Sequence, residues 1–244
     1  MTDALERGAV RPLPPTVRAV RAVLRWTPVA AGPGATRTRV DADLSALLLA
    51  PTGRVRGEAD LVFYNQPRHP SGLVRRLPKL RDAGGLLDAV EAELALLEPG
   101  VTRLLFAASA EHGFHAAASR PRLELHEAPR GGTAGGVLAV FPLAPAPGET
   151  AVVCGELART ADGGWEFRAS QRGFAAGLAA LAAEFGVPAS PDPPPRPVPP
   201  GAYVPPRRPA PSRPDPRRHP AYGYPQPDPA FTLPPQGPQF LPGR

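Results

Sequence analysis

His112 and His115, with Glu111 just before them, have a spacing that could hold a metal ion. The stretch reads as a loop, and no third ligand can be identified beside them. A zinc site needs at least three protein ligands, so the ordinary-loop reading is preferred. His69, His126 and His219 are isolated and complete no catalytic triad. Cys154 is the single cysteine, which excludes an internal disulfide and fits a reducing compartment. It reads as a small buried strand residue, with Glu156 as the nearest charge in strand parity, a neighbour that would raise a thiol pKa. The glycine clusters at Gly84-Gly85 and Gly131 to Gly136 lack the Gly-Lys-Ser/Thr of a phosphate loop, and no Gly-x-Ser-x-Gly elbow occurs. The chain is not expected to be an enzyme.

Two charged groupings remain. Asp41 and Asp43 point to one face of a strand, roughly 6.5–7 Å apart, where they repel each other unless a cation intervenes. The segment from Arg68 to Arg81 carries Arg68, Arg75, Arg76, Lys79 and Arg81, with no acid before Asp82. These five are the candidate partner-binding residues, suited to an acidic protein surface or anionic lipid headgroups.

The elements that must position these groups are short runs of period two, broken by turn residues about every ten to fifteen positions. They cover Val20 to Trp26, Val40 to Leu49, Ala59 to Tyr64, Val101 to Ala108, Arg122 to His126, Val137 to Leu143, Ala151 to Leu157 and Trp165 to Ala169. Leu87 to Leu97 suits either strand or helix. Residues 68–86 carry no such run. Nine or so short strands indicate an all-β protein, an antiparallel β-sandwich. One helix is expected near the C-terminal end to cover it. Phe174, Leu178, Leu181 and Phe185 form a single stripe at helical spacing, with Ser170 placed to cap the start and Gly186 to end it. Gly173 and Gly177 weaken that helix, with close approach to the sheet as compensation.

Several of these segments, in this order and spacing, resemble the TerD family of tellurium-resistance and chemical-stress proteins. They are Gly164-Trp165-Glu166-Phe167-Arg168, Gly173 to Leu181, Phe185-Gly186-Val187, Asp41-Ala42-Asp43-Leu44-Ser45-Ala46, Leu61 to Asn65 and Gly155-Glu156-Leu157. The resemblance runs from about residue 5 to 188. It implies a calcium-binding β-sandwich that is not an enzyme and acts in the cytoplasm, in stress-response complexes close to the membrane. In the family, a glycine- and acid-rich loop follows the Tyr-Asn strand. Here the basic segment 68–81 stands in its place, Leu86-Leu87-Asp88 stands where an acidic cluster would fall, and Thr27 replaces an Asp.

Calcium is a hard ion that wants roughly six to eight oxygen ligands. What the resemblance leaves for it is Asp41, Asp43 and Asn65. Calcium binding is therefore expected to be lost or weakened, with guanidinium groups standing in for the metal. Arg37, Arg39, Arg75, Arg76, Lys79 and Arg81 are the candidates. In the opposing reading both carboxylates are simply solvated at a strand end. The resulting expectation is a non-catalytic TerD-like binding or scaffold protein. Its alternative is a calcium-responsive module with a reduced site, and an enzyme using the histidine pair ranks last. No cofactor is expected, Ca2+ being the one ion the resemblance brings in.

The chain has 37 prolines, of which 21 fall between Pro191 and Arg244. Such a density forbids regular helix or sheet, so a sandwich domain over 1–189 and a disordered Pro/Arg-rich tail over 190–244 are expected. Seven Arg and three Asp put most of the +6 net charge in that tail, so the body is not marked as a nucleic-acid binder. Arg196 to Pro200 and Pro205 to Pro209 could meet aromatic-lined grooves. The start carries acids and no apolar h-region, and no apolar run approaches a membrane span. The expected location is cytoplasmic, with contact at the inner membrane face.

Overall fold

The computed structural model describes residues 3–28, 41–114, 118–128 and 135–188. Arg37, Arg39, His115, His219 and the tail from 190 onward, all invoked above, fall outside them. Among the described residues twelve strands form two antiparallel sheets. One sheet is ordered β5-β6-β2-β8-β9, namely Val74–Asp82, Gly85–Ala92, Val20–Pro28, Ala118–Glu127 and Val137–Pro142. The other runs β1-β11-β10-β7-β3-β4, namely Val10–Pro12, Trp165–Arg168, Ala151–Arg159, Arg103–Ser109, Asp43–Leu49 and Leu61–Val62. In that sheet β12 (Arg172–Phe174) pairs with the first half of β10.

Alternation explains how these strands stack. Leu24 and Trp26 of β2, Leu44 and Leu48 of β3, Leu104 and Phe106 of β7, Leu123 and Leu125 of β8 and Phe167 of β11 point between the sheets and are buried. The chain is therefore an antiparallel β-sandwich, as its periodicity indicates. A second, smaller core lies on the outer face of the β3-β7-β10 sheet. There Leu47, Leu49, Leu105, Ala107, Ala151 and Val153 are covered by helix α1 (Gly177–Glu184) through Leu181 and Ala182.

The helix is shorter than the stripe predicts. It starts at Gly177, with Ala176 at its N-cap, and Ser170 caps nothing. Phe174 belongs to β12 and pairs with Ala151. All four stripe residues still pack on the second core, so the apolar face is as expected while the element carrying it changes. Gly177 has φ +77°, a left-handed conformation that favours glycine and marks the bend from β12 into the helix. Arg172 lies over the Phe174 ring at 4.9 Å and pairs with Glu184, clasping the helix to its strand.

Three other segments differ from expectation. Residues 59–64 split into a 3-10 turn (Glu58–Asp60) and the two-residue β4. The ambiguous 87–97 stretch becomes β6 followed by a 3-10 turn at Leu94–Leu96. The basic segment, where no strand is expected, carries β5, an edge strand of nine residues. Its hairpin to β6 turns at Gly85, whose φ is +122° and where a Cβ would lie 2.3 Å from the Trp26 carbonyl oxygen. Only glycine fits there.

Leu181 is fully buried in the second core. Leu181→Ala should cost roughly 2–5 kcal/mol by urea denaturation. A loss under about 1 kcal/mol would mean that the helix does not seal that face.

Candidate functional site

Asp88 is the starting point, because its side chain is fully buried at an end of the inter-sheet core. On β6 it shares the inward parity of Val90, so its carboxylate points across to the opposite sheet. The Leu44 N–H, at the start of β3, donates to its Oδ2 at 2.8 Å, and the Ala89 N–H donates to its Oδ1 at 3.0 Å. Burial lifts the Asp88 carboxyl above its ordinary range, against the pull of the Leu44 N–H and of the neighbouring cation. That cation is Arg76, which pairs with Asp88 Oδ2.

Arg76 reaches Asp88 because β5 is bent. Pairing passes from Leu77–Ala89 to Leu80–Leu87, so β5 carries one residue more than β6 across that step. In a regular strand Arg76 and Lys79, three apart, would point to opposite faces. The bulge at Pro78-Lys79 turns both toward the same carboxylates. Pro78, which has no N–H, is tolerated because β5 is an edge strand.

The result is a ladder of five alternating charges. Asp88 binds Arg76, whose Nη2 donates to Asp43 Oδ1 at 3.0 Å. The same oxygen meets Lys79 Nζ at 2.9 Å, and Lys79 meets Asp41 Oδ1 at 2.7 Å. Side-chain exposure grows along it, from 0% at Asp88 and 10% at Arg76 to 59% at Asp41. Asp41 precedes β3, and Asp43 is its first residue.

The other sequence-selected residues lie elsewhere. Asn65 sits in the exposed turn between Phe63 and Gln66, and no described hydrogen bond or ion pair links it to the ladder. Arg68 is exposed and bridges Arg75 through the backbone. Arg75 shares Glu91 with Arg21 on the outer face of the sheet. Arg81 is exposed and pairs with Leu86 through the backbone. Of the five basic residues read as a partner surface, Arg76 and Lys79 are therefore internal ion-pair members.

Asp88 and Asp60 are site residues that sequence reasoning did not select. For Asp88 the available signal was an acid at an inward position of an apolar strand, between Leu86 and Val90. Asp60 is buried beneath the β4–β5 connection and accepts from the Arg56 backbone N–H at 2.8 Å and from Arg56 Nη2 at 2.7 Å. Burial opposes its charge, yet the hydrogen bonds from Arg56 and His69 hold it below the usual carboxylate range. His69 Nε2 lies 3.1 Å from Asp60 Oδ1, and its Nδ1 lies 2.7 Å from Ser71 Oγ. This order resembles an acid–base–nucleophile chain, but the Ser71 N–H also binds Nδ1, the Leu73 N–H binds Oγ, and Arg56 neutralises Asp60. Those bonds fix a turn.

Cys154 is buried between the sheets, and burial, rather than Glu156, pushes its thiol up to about 12. The β10 bulge at Val153/Gly155 breaks the parity that would have paired the two, and Glu156 meets Arg103 and Arg168 instead. His112 is exposed. Among the described residues no group of three or more His, Cys, Asp or Glu is arranged to hold a metal. The ladder carboxylates do not fit a calcium ion as they stand. Both Asp88 oxygens already accept hydrogen bonds, and Asp41 and Asp43 face two cations of this same chain.

Two antiparallel sheets packed as a sandwich, with a helix over one outer face and a charge ladder linking β3, β5 and β6, place the chain among the all-β sandwich domains. The chain belongs to the TerD domain family, which matches residues 1–185. It is 32% identical over 164 residues to the tellurium resistance proteins TerD of an Alcaligenes species and of Serratia marcescens, covering 62% of this chain and 80% of each relative. The crystal structure of a homologue of telluride resistance protein (TerD) from Streptomyces coelicolor A3(2) shares the fold. Its TM-score is 0.51 at 23% identity, over 70% of this chain and 99% of that one.

Arg76→Ala would leave Asp88 buried without its cation and should cost roughly 3–5 kcal/mol. Lys79→Ala, nearer the surface, should cost under about 1 kcal/mol. Equal losses in urea titrations would contradict the gradient of burial. A separate test concerns Glu124, held at about 2 by His126 first and then by Arg122 and Arg25, against burial. A carboxylate whose pKa falls on folding adds stability above its unfolded value of 4.5, and that contribution is lost as pH drops toward 2. Stability should thus decline across this window, and Glu124→Gln should flatten the decline.

Proposed function

We propose that this chain is a non-catalytic binding or scaffold component associated with tellurite or chemical-stress resistance, in which calcium binding is lost or weakened. The observation that carries the reading is the seating of Arg76 and Lys79 among Asp41, Asp43 and Asp88. Two basic heads supply from within the positive charge that clustered carboxylates require, so the fold needs no metal to hold its charged end together. The association with tellurium resistance rests on the relatives, whose names carry it. The non-catalytic part rests on a buried, protonated thiol and on a Ser-His-Asp chain already engaged in turn bonds.

The partner is read as an acidic protein surface or an anionic membrane surface. With Arg76 and Lys79 engaged in the ladder and Arg75 paired to Glu91, the charges of that segment left for it are Arg68 and Arg81, together with the arginines beyond residue 190. We read the protein as cytoplasmic, in keeping with its lone buried cysteine. No helix among the described residues is long and apolar enough to cross a membrane.

A thermal-shift titration tests the calcium statement. Melting temperature should stay flat as Ca2+ is added through the micromolar range, whereas a saturable rise would return the calcium-responsive module as the better reading. For the partner, a pull-down at rising ionic strength, with and without residues 191–244, should lose binding as salt screens the arginines. Capture indifferent to salt would remove the electrostatic account.

A further inference from the structure

We propose that Ser71 is a covalent modification site, a hydroxyl that uses His69 as its general base, takes a phosphoryl group from an activated phosphoric ester or anhydride, and retains it.

The contacts fix where each proton sits. Burial opposes the charge of Asp60, yet its hydrogen bonds from Arg56 keep the carboxyl below its usual range, so it is ionised and can only accept. His69 Nε2, 3.1 Å from Asp60 Oδ1, therefore carries the ring proton. Nδ1 keeps its lone pair, and the Ser71 N–H donates to it at 3.1 Å. With no hydrogen on Nδ1, its 2.7 Å contact with Ser71 Oγ is a bond that the hydroxyl donates. The base already faces the proton it would remove.

The oxygen remains able to attack. A serine hydroxyl has one hydrogen and two lone pairs. The hydrogen goes to His69, and the Leu73 N–H occupies one lone pair at 3.2 Å, where it also stabilises negative charge developing on Oγ. No bond among the described residues takes the other. Ser71 is exposed in a turn closed by the Gly72 N–H, which donates to the His69 carbonyl at 2.8 Å, while His69 and Asp60 are buried. A donor can therefore reach the hydroxyl.

Charge selects the group. The stretch from Arg68 to Arg81 holds five cations and no acid, and Arg68 bridges Arg75 at the base of the loop that presents Ser71. A phosphoryl group brings a charge of roughly −1.5 to −2, which such a stretch favours over a neutral acyl group. In the transfer the Oγ–phosphorus bond forms, and the bond from phosphorus to the leaving group breaks with its electron pair. The hydroxyl proton passes to His69 Nδ1, leaving an imidazolium between Asp60 and the new phosphate, and nothing is oxidised or reduced. Retention follows from the turn, because its three N–H groups are committed: Ser71 to Nδ1, Gly72 to the His69 carbonyl and Leu73 to Oγ. None is left to stabilise a second displacement by water, so the site accepts a group without becoming an enzyme.

The test treats the full chain at neutral pH with a biotinylated ethyl fluorophosphonate, in which fluoride is the leaving group, and maps the label by mass spectrometry. Ser71 should react about 10²-fold or more faster than Ser170, Ser190 and Ser212. Unfolding the chain in urea should erase that advantage, and so should His69→Gln. Equal labelling of Ser71 and the reference serines in the native chain overturns the proposal, as does full-rate labelling of folded His69→Gln. If circular dichroism shows that this variant does not fold, the native-against-urea comparison on the natural chain decides. Either failure leaves the function proposed above intact. Steady hydrolysis of p-nitrophenyl acetate, lost in Ser71→Ala, would instead overturn retention and the non-catalytic reading together.

Discussion

A carboxylate with no access to water governs the charged end of this molecule. Taking an ionised side chain out of solvent costs several kcal/mol unless opposite charge and hydrogen bonds replace the lost hydration. Asp88 receives all of these replacements from different parts of the chain: an N–H from β3, an N–H from its own strand and a guanidinium from β5. Because those donors lie on both sheets, satisfying one side chain also sets how the sheets meet. The extra residue near Pro78 and the glycine at the β5–β6 turn follow as conditions for bringing Arg76 within reach.

The same device recurs on the outer face of the five-stranded sheet with lower stakes. Arg21 and Arg75 share Glu91, while Arg25 and Arg122 share Glu124. Arg25 and Arg122 are directly opposite in the β2–β8 ladder, a repulsive placement that Glu124 between them offsets. Val23 and Ala89 on that sheet are almost fully buried, and arginine stems are long and apolar enough to cover such positions. Charge pairing and apolar coverage are thus supplied by the same side chains.

Legibility in the sequence followed the same division between apolar and charged positions. Strands whose inward residues are aliphatic, such as β2, β7 and β10, show themselves by alternation, and the sandwich follows from their number. Strand β5 does not, because its inward positions include Arg76 and because Pro78 interrupts the period. Its basic side chains look solvent-facing until the bulge is known. Asp41 and Asp43 are visible as a pair, and a positive counterpart for them is predictable in kind. Which residues supply it depends on a register shift that spacing alone does not encode. Asp88 escapes selection because one acid between leucine and valine carries no motif. The helix is misplaced at its start because Phe174 satisfies a helical stripe and a strand position equally well, and hydrogen bonding to β10 decides between them.

The placement of Cys154 bears on durability under oxidising conditions. Thiol oxidants react with accessible thiolates, and this sulfur is neither accessible nor ionised at physiological pH. Apart from Met1 it is the only sulfur in the chain. A protein built this way offers thiol oxidants no accessible cysteine, since its one thiol lies between the sheets.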